Sequence, residues 1–167
     1  MKAFFGLGAL AAICQSVYSL ENGLYTIGSA ITGGALVLTA HSSSPGILLD
    51  FTENQGDSGQ VWDFSSSDGQ YFLVKNQLGS YINCDEGAVC YTGGSPQAFI
   101  PEFTGDGKYE LVAQGSGLFL RADDQGQLLL AEYDQSPNEQ FFLSPAPAQG
   151  KSYMQPYSEV IFTLRIY

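Results

Sequence analysis

The chain has 167 residues, with 6 Lys and Arg against 17 Asp and Glu and a formal net charge of −11. So acidic a surface repels phosphate, which Lys and Arg must neutralise in contacts with nucleic acid or anionic lipid, and both partners are set aside. One histidine and three cysteines are too few for an ordinary metal centre, so no metal and no cofactor is expected.

In chain order, residues 1–19 come first as a leader. Lys2 gives a positive start, Ala3 to Ile13 is an apolar run, and the small residues Ser16 and Ser19 precede a cleavage site. This pattern is that of a secretory signal peptide, too short to span a bilayer, and it predicts a secreted, extracellular product. Cys14 leaves with the leader. Cys84 and Cys90 remain and are expected to pair in an oxidising compartment. So short a closed loop stabilises the fold by about 2 kcal/mol.

Helical periodicity is nearly absent after the leader, while short alternating runs recur between turn residues. The first predicted strands are Gly23–Ile27, Ala35–Leu38, Ile47–Leu49 and Gln60–Phe64, with Phe51 to Gly59 as a polar loop. A second set follows at Gln70–Lys75, Ser80–Asn83, Val89–Tyr91 and Gln97–Phe103, where Pro101 marks an edge or a bulge. A third set is Lys108–Val112, Leu118–Arg121, Gln127–Ala131 and Gln140–Leu143. Residues 147–167 form a linker and tail in which Ser158 to Tyr167 alternates like one further strand.

The three sets repeat. Gln60-Val61-Trp62, Gln97-Ala98-Phe99 and Gln140-Phe141-Phe142 each place an aromatic two residues after a glutamine. Gly23-Leu24-Tyr25, Gly69-Gln70-Tyr71 and Gly107-Lys108-Tyr109 echo each other at the openings. A period of roughly 40 residues signals a repeat architecture. Four short strands cannot stand alone, but three such units can close around one core and remove most sheet edges. The predicted fold is therefore all-β, a β-trefoil over residues 20–146, with Trp62, Phe99 and Phe142 as core plugs.

These glutamine–aromatic repeats resemble the ricin B-like β-trefoil superfamily, and the opening Glu21 to Ile27 looks like small fungal secreted trefoil proteins. Among those are lectins and mycocypin-type cysteine-protease inhibitors. The inhibitor resemblance implies a fungal effector and a papain-like cysteine protease as partner, bound by the loops after the first and third strands. Those loops carry Ser29, Ile31, Thr32, Gly33 and Gly34, and Asn54, Gln55 and Asp57. Here Gly33 and Gly34 would let the backbone enter a narrow cleft and Ile31 would fill an apolar subsite. This is the leading expectation, with the protein acting as a monomer.

The lectin resemblance implies an aspartate on the second strand of a unit, an aromatic platform beyond it, and polar help near the glutamine. The second strands end in Thr39, Asn83 and Arg121, and none is an aspartate. Two pockets remain as the alternative: Asn83 with Tyr91, and Arg121 or Asp123 with Tyr133 and Asn138. An enzyme is not expected. The pairs Asp85-Glu86 and Asp123-Asp124 sit in turns, where adjacent carboxylates diverge instead of facing across a cleft.

Overall fold

The computed structural model describes residues 20–147. The expected leader and the strand-like tail lie outside the described residues. Among the described residues twelve strands form, in three sets of four. The first set is β1 (Gly23–Ser29), β2 (Leu36–Thr39), β3 (Asp50–Glu53) and β4 (Trp62–Ser65). The second is β5 (Phe72–Asn76), β6 (Tyr81–Asn83), β7 (Tyr91–Gly93) and β8 (Ala98–Gly105). The third is β9 (Lys108–Ala113), β10 (Phe119–Ala122), β11 (Leu128–Ala131) and β12 (Phe141–Pro145). Two short 3-10 turns, Ala30–Thr32 and Pro137–Glu139, complete it.

The outer strands of each set close a ring. β1 pairs with β4, β4 with β5, β5 with β8, β8 with β9, β9 with β12, and β12 with β1, all antiparallel. Closure leaves these six strands without an edge. The inner strands form three hairpins, β2–β3, β6–β7 and β10–β11, that cap one end. A cyclic set of backbone bonds ties the caps together. Leu49 N–H donates to the Cys90 carbonyl at 2.9 Å, Cys90 to Leu128 at 2.7 Å, and Leu128 back to Leu49 at 3.3 Å. The expected β-trefoil is the architecture found.

That hydrogen-bonded triangle makes Leu49, Cys90 and Leu128 equivalent, and with them the rest of the three units. The plugs follow from strand register. Trp62 lies opposite Tyr25 and Asn76, Phe99 opposite Phe72 and Ala113, and Phe141 opposite Tyr109 and Ser29. All three plugs are fully buried, and the Trp62 indole N–H donates to the Leu38 carbonyl at 3.0 Å. The third plug is thus Phe141 and not Phe142, whose ring faces outward against Gly34. The same shift by one corrects the second opening: buried Phe72, not the exposed Tyr71, matches Tyr25 and Tyr109. A slip of one residue along a strand moves a side chain to the other face, so only one register fills the core.

Two smaller differences concern boundaries. The third strand of the first unit starts at Asp50, after Leu48 and Leu49, because Leu49 serves the cap triangle before the β2–β3 ladder begins. Pro101 sits within β8 opposite Leu111, but β5 reaches only Ala98 and Phe99, so no β5 carbonyl goes without a donor there. The irregularity in β8 falls later, between Phe103 and Gly105. The expected disulfide is present, with the Cys84 and Cys90 Cα atoms 4.3 Å apart. It clamps the end of β6 to the residue that completes the cap triangle.

Candidate functional site

Three side-chain positions around each cap hairpin can face a ligand. The first is on the second strand: Thr39, Asn83 or Arg121, opposite Asp50, Tyr91 or Leu129 respectively. The residue after the cap-triangle member is Asp50, Tyr91 or Leu129. The residue before the glutamine position is Gly59, Pro96 or Asn138. The glutamine position itself is a backbone anchor. Gln60 Nε2 donates to Thr39 Oγ1, Thr52 Oγ1 and the Glu53 carbonyl at 2.8–3.1 Å, and its Oε1 accepts from the backbone of Gln55 and Gly56. Gln97 instead grips one residue, its Oε1 accepting from Cys84 N–H at 2.9 Å and its Nε2 donating to the Cys84 carbonyl at 3.4 Å. In the third unit the position belongs to Glu139 and not to Gln140, one residue earlier than the repeat predicts.

Glu139 is fully buried, and a buried carboxylate needs a counter-charge. Arg121 supplies it, its Nη2 3.5 Å from Glu139 Oε1, which also accepts from Asp134 N–H at 3.0 Å. The same guanidinium meets Asp134 Oδ2 on its outer side. The acid that the lectin resemblance places on the second strand is therefore exchanged for a cation in the unit whose glutamine has become an acid.

Around this pair lies a cavity of about 300 Å³, bounded by Arg121, Asp123, Asp124, Leu129, Asp134, Ser136 and Asn138. Asn138 Nδ2 donates to the Ala122 carbonyl at 3.0 Å, which fixes the amide and turns its Oδ1 to other partners. Asp123 Oδ1 accepts from Gln125 and Gln127 N–H, and Asp134 Oδ1 from Ser136 N–H. Glu139 Oε2, Arg121 Nε and Ser136 Oγ are buried without a protein partner. Carboxylates outnumber the single guanidinium here, so the cavity offers mainly acceptors, with Leu129 as its apolar wall.

The equivalent place in the first unit is a cavity of about 330 Å³ that includes Thr39, His41, Asp57 and Gly59. Its polar groups are spent internally. Thr39 is buried and bonded to Thr52 and Gln60, His41 Nε2 meets Asp50 Oδ1 at 2.7 Å, and Asp57 Oδ1 accepts from Gly59 N–H. A Cβ at Gly59 would fall 2.2 Å from the Ala40 carbonyl oxygen, so no side chain can stand where Asn138 does. In the second unit Gln97 follows Cys90 by seven positions, whereas Gln60 and Glu139 follow their equivalents by eleven. The shortened loop removes one wall. Asn83 and Tyr91 are cross-strand neighbours, as the expected pocket requires, but Asn83 folds against Gly93 and donates to the Ser95 and Ile82 carbonyls. The Tyr91 hydroxyl donates to Asp85 at 3.3 Å, and the charge of Asp85 pushes its pKa up.

Of the other expected sugar-site residues, Arg121, Asp123 and Asn138 come together in the third-unit cavity, while Tyr133 does not line it. Its half-exposed ring stacks on Phe119 at 4.6 Å between centroids. Its hydroxyl pKa is raised by the charge of Glu110, then by burial and by Glu139 and Glu102. The sequence reading missed Asp134, Leu129, Ser136 and Glu139 as parts of this site. The available signal was Glu139, which stands two residues before the aromatic Phe141.

The first-unit loops are compact. Ser29 is buried, Thr32 Oγ1 donates to the Ser29 carbonyl, and Gly33 caps the 3-10 turn with φ +64°. Gly34, at φ +82°, lets the Phe142 ring approach to 3.2 Å of where its Cβ would be. Ile31 stands at the tip, 44 % exposed. Asn54 and Gln55 belong to the turn held by Gln60. The first loop is anchored to Gln140 and the second to Ala40, so different neighbours hold each in place.

No family model and no curated protein matches the sequence. Solved structures do. The chain is similar to the designed threefold-symmetric protein ThreeFoil, at 21% identity and TM-score 0.66, over 74% of this chain and 99% of that one. It is similar to the Rhizoctonia solani agglutinin, at 16% identity and TM-score 0.68, over 76% and 97%. The fold shared with these structures is the β-trefoil. The Macrolepiota procera ricin B-like lectin, whose structure is a complex with lactose, is likewise similar, at 12% identity and TM-score 0.63, over 75% and 98%. At these identities the likeness carries the fold and leaves the ligand to the residues described above.

Proposed function

We propose that this ricin B-like trefoil is a non-catalytic, secreted carbohydrate-binding protein whose ligand site is the third-unit cavity. The observation that carries this reading is the convergence of three of the expected sugar-site residues, Arg121, Asp123 and Asn138, on one cavity, although Arg121 stands where the lectin resemblance expects an aspartate and Leu129, not Tyr133, supplies the apolar wall. Outward acceptors suit sugar hydroxyls. The agglutinin and the lactose-bound lectin among the similar structures support a glycan as the class of ligand. The leader and the Cys84–Cys90 disulfide support secretion. A glycan array with the wild type and Asn138→Ala tests the reading. Specific signals that fall about tenfold in the variant are expected, as for loss of one good hydrogen bond. An array without specific signals, or one unchanged by the substitution, would remove the cavity from consideration.

A second reading, inhibition of a papain-like cysteine protease through the first-unit loops, keeps one favourable observation: the exposed Ile31 on a rigid turn. Tight papain inhibition that is lost in Ile31→Asp would move it ahead of the glycan reading.

A further inference from the structure

Where β5 crosses β8, a groove of about 520 Å³ opens on the outer barrel wall, away from the cap and from the third-unit cavity. Its floor is Leu73 and Ala98, cross-strand partners and both half-buried. The β4–β5 hairpin supplies one side with Ser65, Asp68 and Tyr71, and Gln114 closes the far end. The three units contain this place three times, because Gln114, Gln77 and Ala30 each donate a backbone N–H to the equivalent carbonyl of Ala98, Val61 and Gln140 at 2.9–3.0 Å.

The other two copies differ. In the first unit the Leu73 and Ser65 positions are Thr26 and Ser144, and the Thr26 hydroxyl reaches the Ser144 carbonyl at 3.5 Å. In the third unit they are Glu110 and Glu102, directly opposite each other. Burial raises the Glu110 pKa, and the charges of Glu139 and Glu102 add to it, while Glu110 is in turn the first influence on Tyr133. Only the second unit combines an apolar floor with a small residue, Ser65, at the rim.

The chemistry of this groove is specific in kind. Tyr71 is 37% exposed and presents a ring at its side. Asp68 is held rigidly: its Oδ1 accepts from Gln70 N–H at 2.9 Å, Ser66 Oγ–H at 3.1 Å and Tyr71 N–H at 3.2 Å. Those bonds leave acceptor capacity on Oδ2, since a carboxylate takes about four donors. A fixed acceptor beside an aromatic face and a short apolar floor fits a pyranose, which has hydroxyls on its edge and C–H groups on its face. No cation among the described residues lines the groove, so among them an acidic sugar would meet only the charge of Asp68.

We propose that the Tyr71–Asp68 groove is a second carbohydrate subsite, for a neutral pyranose, independent of the third-unit cavity. Two such sites on one domain would give avidity for a polymeric glycan without any new contact.

Two-dimensional amide NMR of the mature protein tests this, with cellotetraose, N-acetylated chitotetraose and lactose as neutral probes and trigalacturonate as the acidic one. Saturable shifts at residues 65–73, 98 and 114 are expected with at least one neutral probe and none with trigalacturonate. Tyr71→Ala should weaken that response about tenfold, and Asp68→Asn, which keeps the turn's acceptor, should weaken it less. The shifts should persist in Asn138→Ala. Their loss in that variant would overturn the second subsite, as would silence at these residues with every neutral probe, a stronger response to trigalacturonate, or an unaltered response in Tyr71→Ala. Shifts confined to residues 65–73, 98 and 114 in the wild type would keep this groove and remove the third-unit cavity instead.

Discussion

The first and third units share a backbone plan and differ in what they do with charge. In the first, Gln60 is neutral, sits among hydroxyls and carbonyls, and needs no counter-ion. Thr39 can then be small and buried, and the cavity outside it holds groups already bonded to one another. In the third, Glu139 brings a negative charge into the core, and Arg121 must reach inward to balance it. That reach holds Asp134 on one flank and leaves Asp123, Asp124 and Asn138 around an open cavity. A buried carboxylate in the place of a buried amide thus goes with a different arrangement of the whole cavity on the same strand plan.

The largest expected effect tests whether the units are equivalent in the way register says. Phe141→Ala should cost about 3–5 kcal/mol, as for other large buried aromatics, while Phe142→Ala should cost about 1 kcal/mol. Chemical denaturation compares them directly. Equal losses would mean that the third unit does not share the plug position of Trp62 and Phe99.

The second unit sharpens the comparison from another side, because it braces its short loop with a covalent bond. Cys90→Ser with Cys84→Ser should lower stability by about 2 kcal/mol. It should also speed amide exchange at Leu49, whose N–H donates to the residue 90 carbonyl, and at residue 90, whose N–H donates to the Leu128 carbonyl. Exchange unchanged at those two amides would separate the disulfide from the cap.

The smallest effect concerns charge outside the barrel wall of the third unit. Burial, Glu139 and Glu102 raise the Glu110 pKa above its unfolded value. A carboxyl raised in this way binds its proton more tightly when folded, so its favourable contribution is complete below the ordinary glutamate range and is lost as pH rises through the folded pKa. Glu110→Gln should therefore stabilise the protein at neutral pH, by under about 1 kcal/mol, as for relief of like charges facing each other across two strands. The gain should vanish in acid. Thermal melting of both proteins from acid to neutral pH checks the sign, and a gain that grows in acid would contradict it.

Much of the fold was legible in the sequence because it depends on repetition. Trp62 and Phe99, the alternating strands and the glycine-marked turns all point to three units, and three units have few ways to share a core. The third plug was misread because Gln140 and Phe142 preserve the spacing of the motif by coincidence, while Glu139 and Phe141 preserve its geometry. Spacing cannot tell the two apart. Only the facing residues Tyr109 and Ser29 decide which aromatic turns inward. The site was legible in part for the same reason. Arg121, Asp123 and Asn138 could be found from their places in the unit, but a buried acid at a glutamine position is visible only once the register is known. Tyr133 was drawn in by its chemistry, although its ring packs on Phe119 instead.

The central claim is that Arg121 and Glu139 form one coupled unit that shapes the third-unit cavity. A double-mutant cycle measures this directly, with Arg121→Ala, Glu139→Gln and the double variant unfolded in denaturant under the same conditions. Arg121→Ala alone should cost about 3 kcal/mol, because it leaves a carboxylate buried without its partner, and Glu139→Gln should recover most of that loss. Losses that add to within about 0.5 kcal/mol would contradict the coupling, and with it the account of how this unit came to differ from the first.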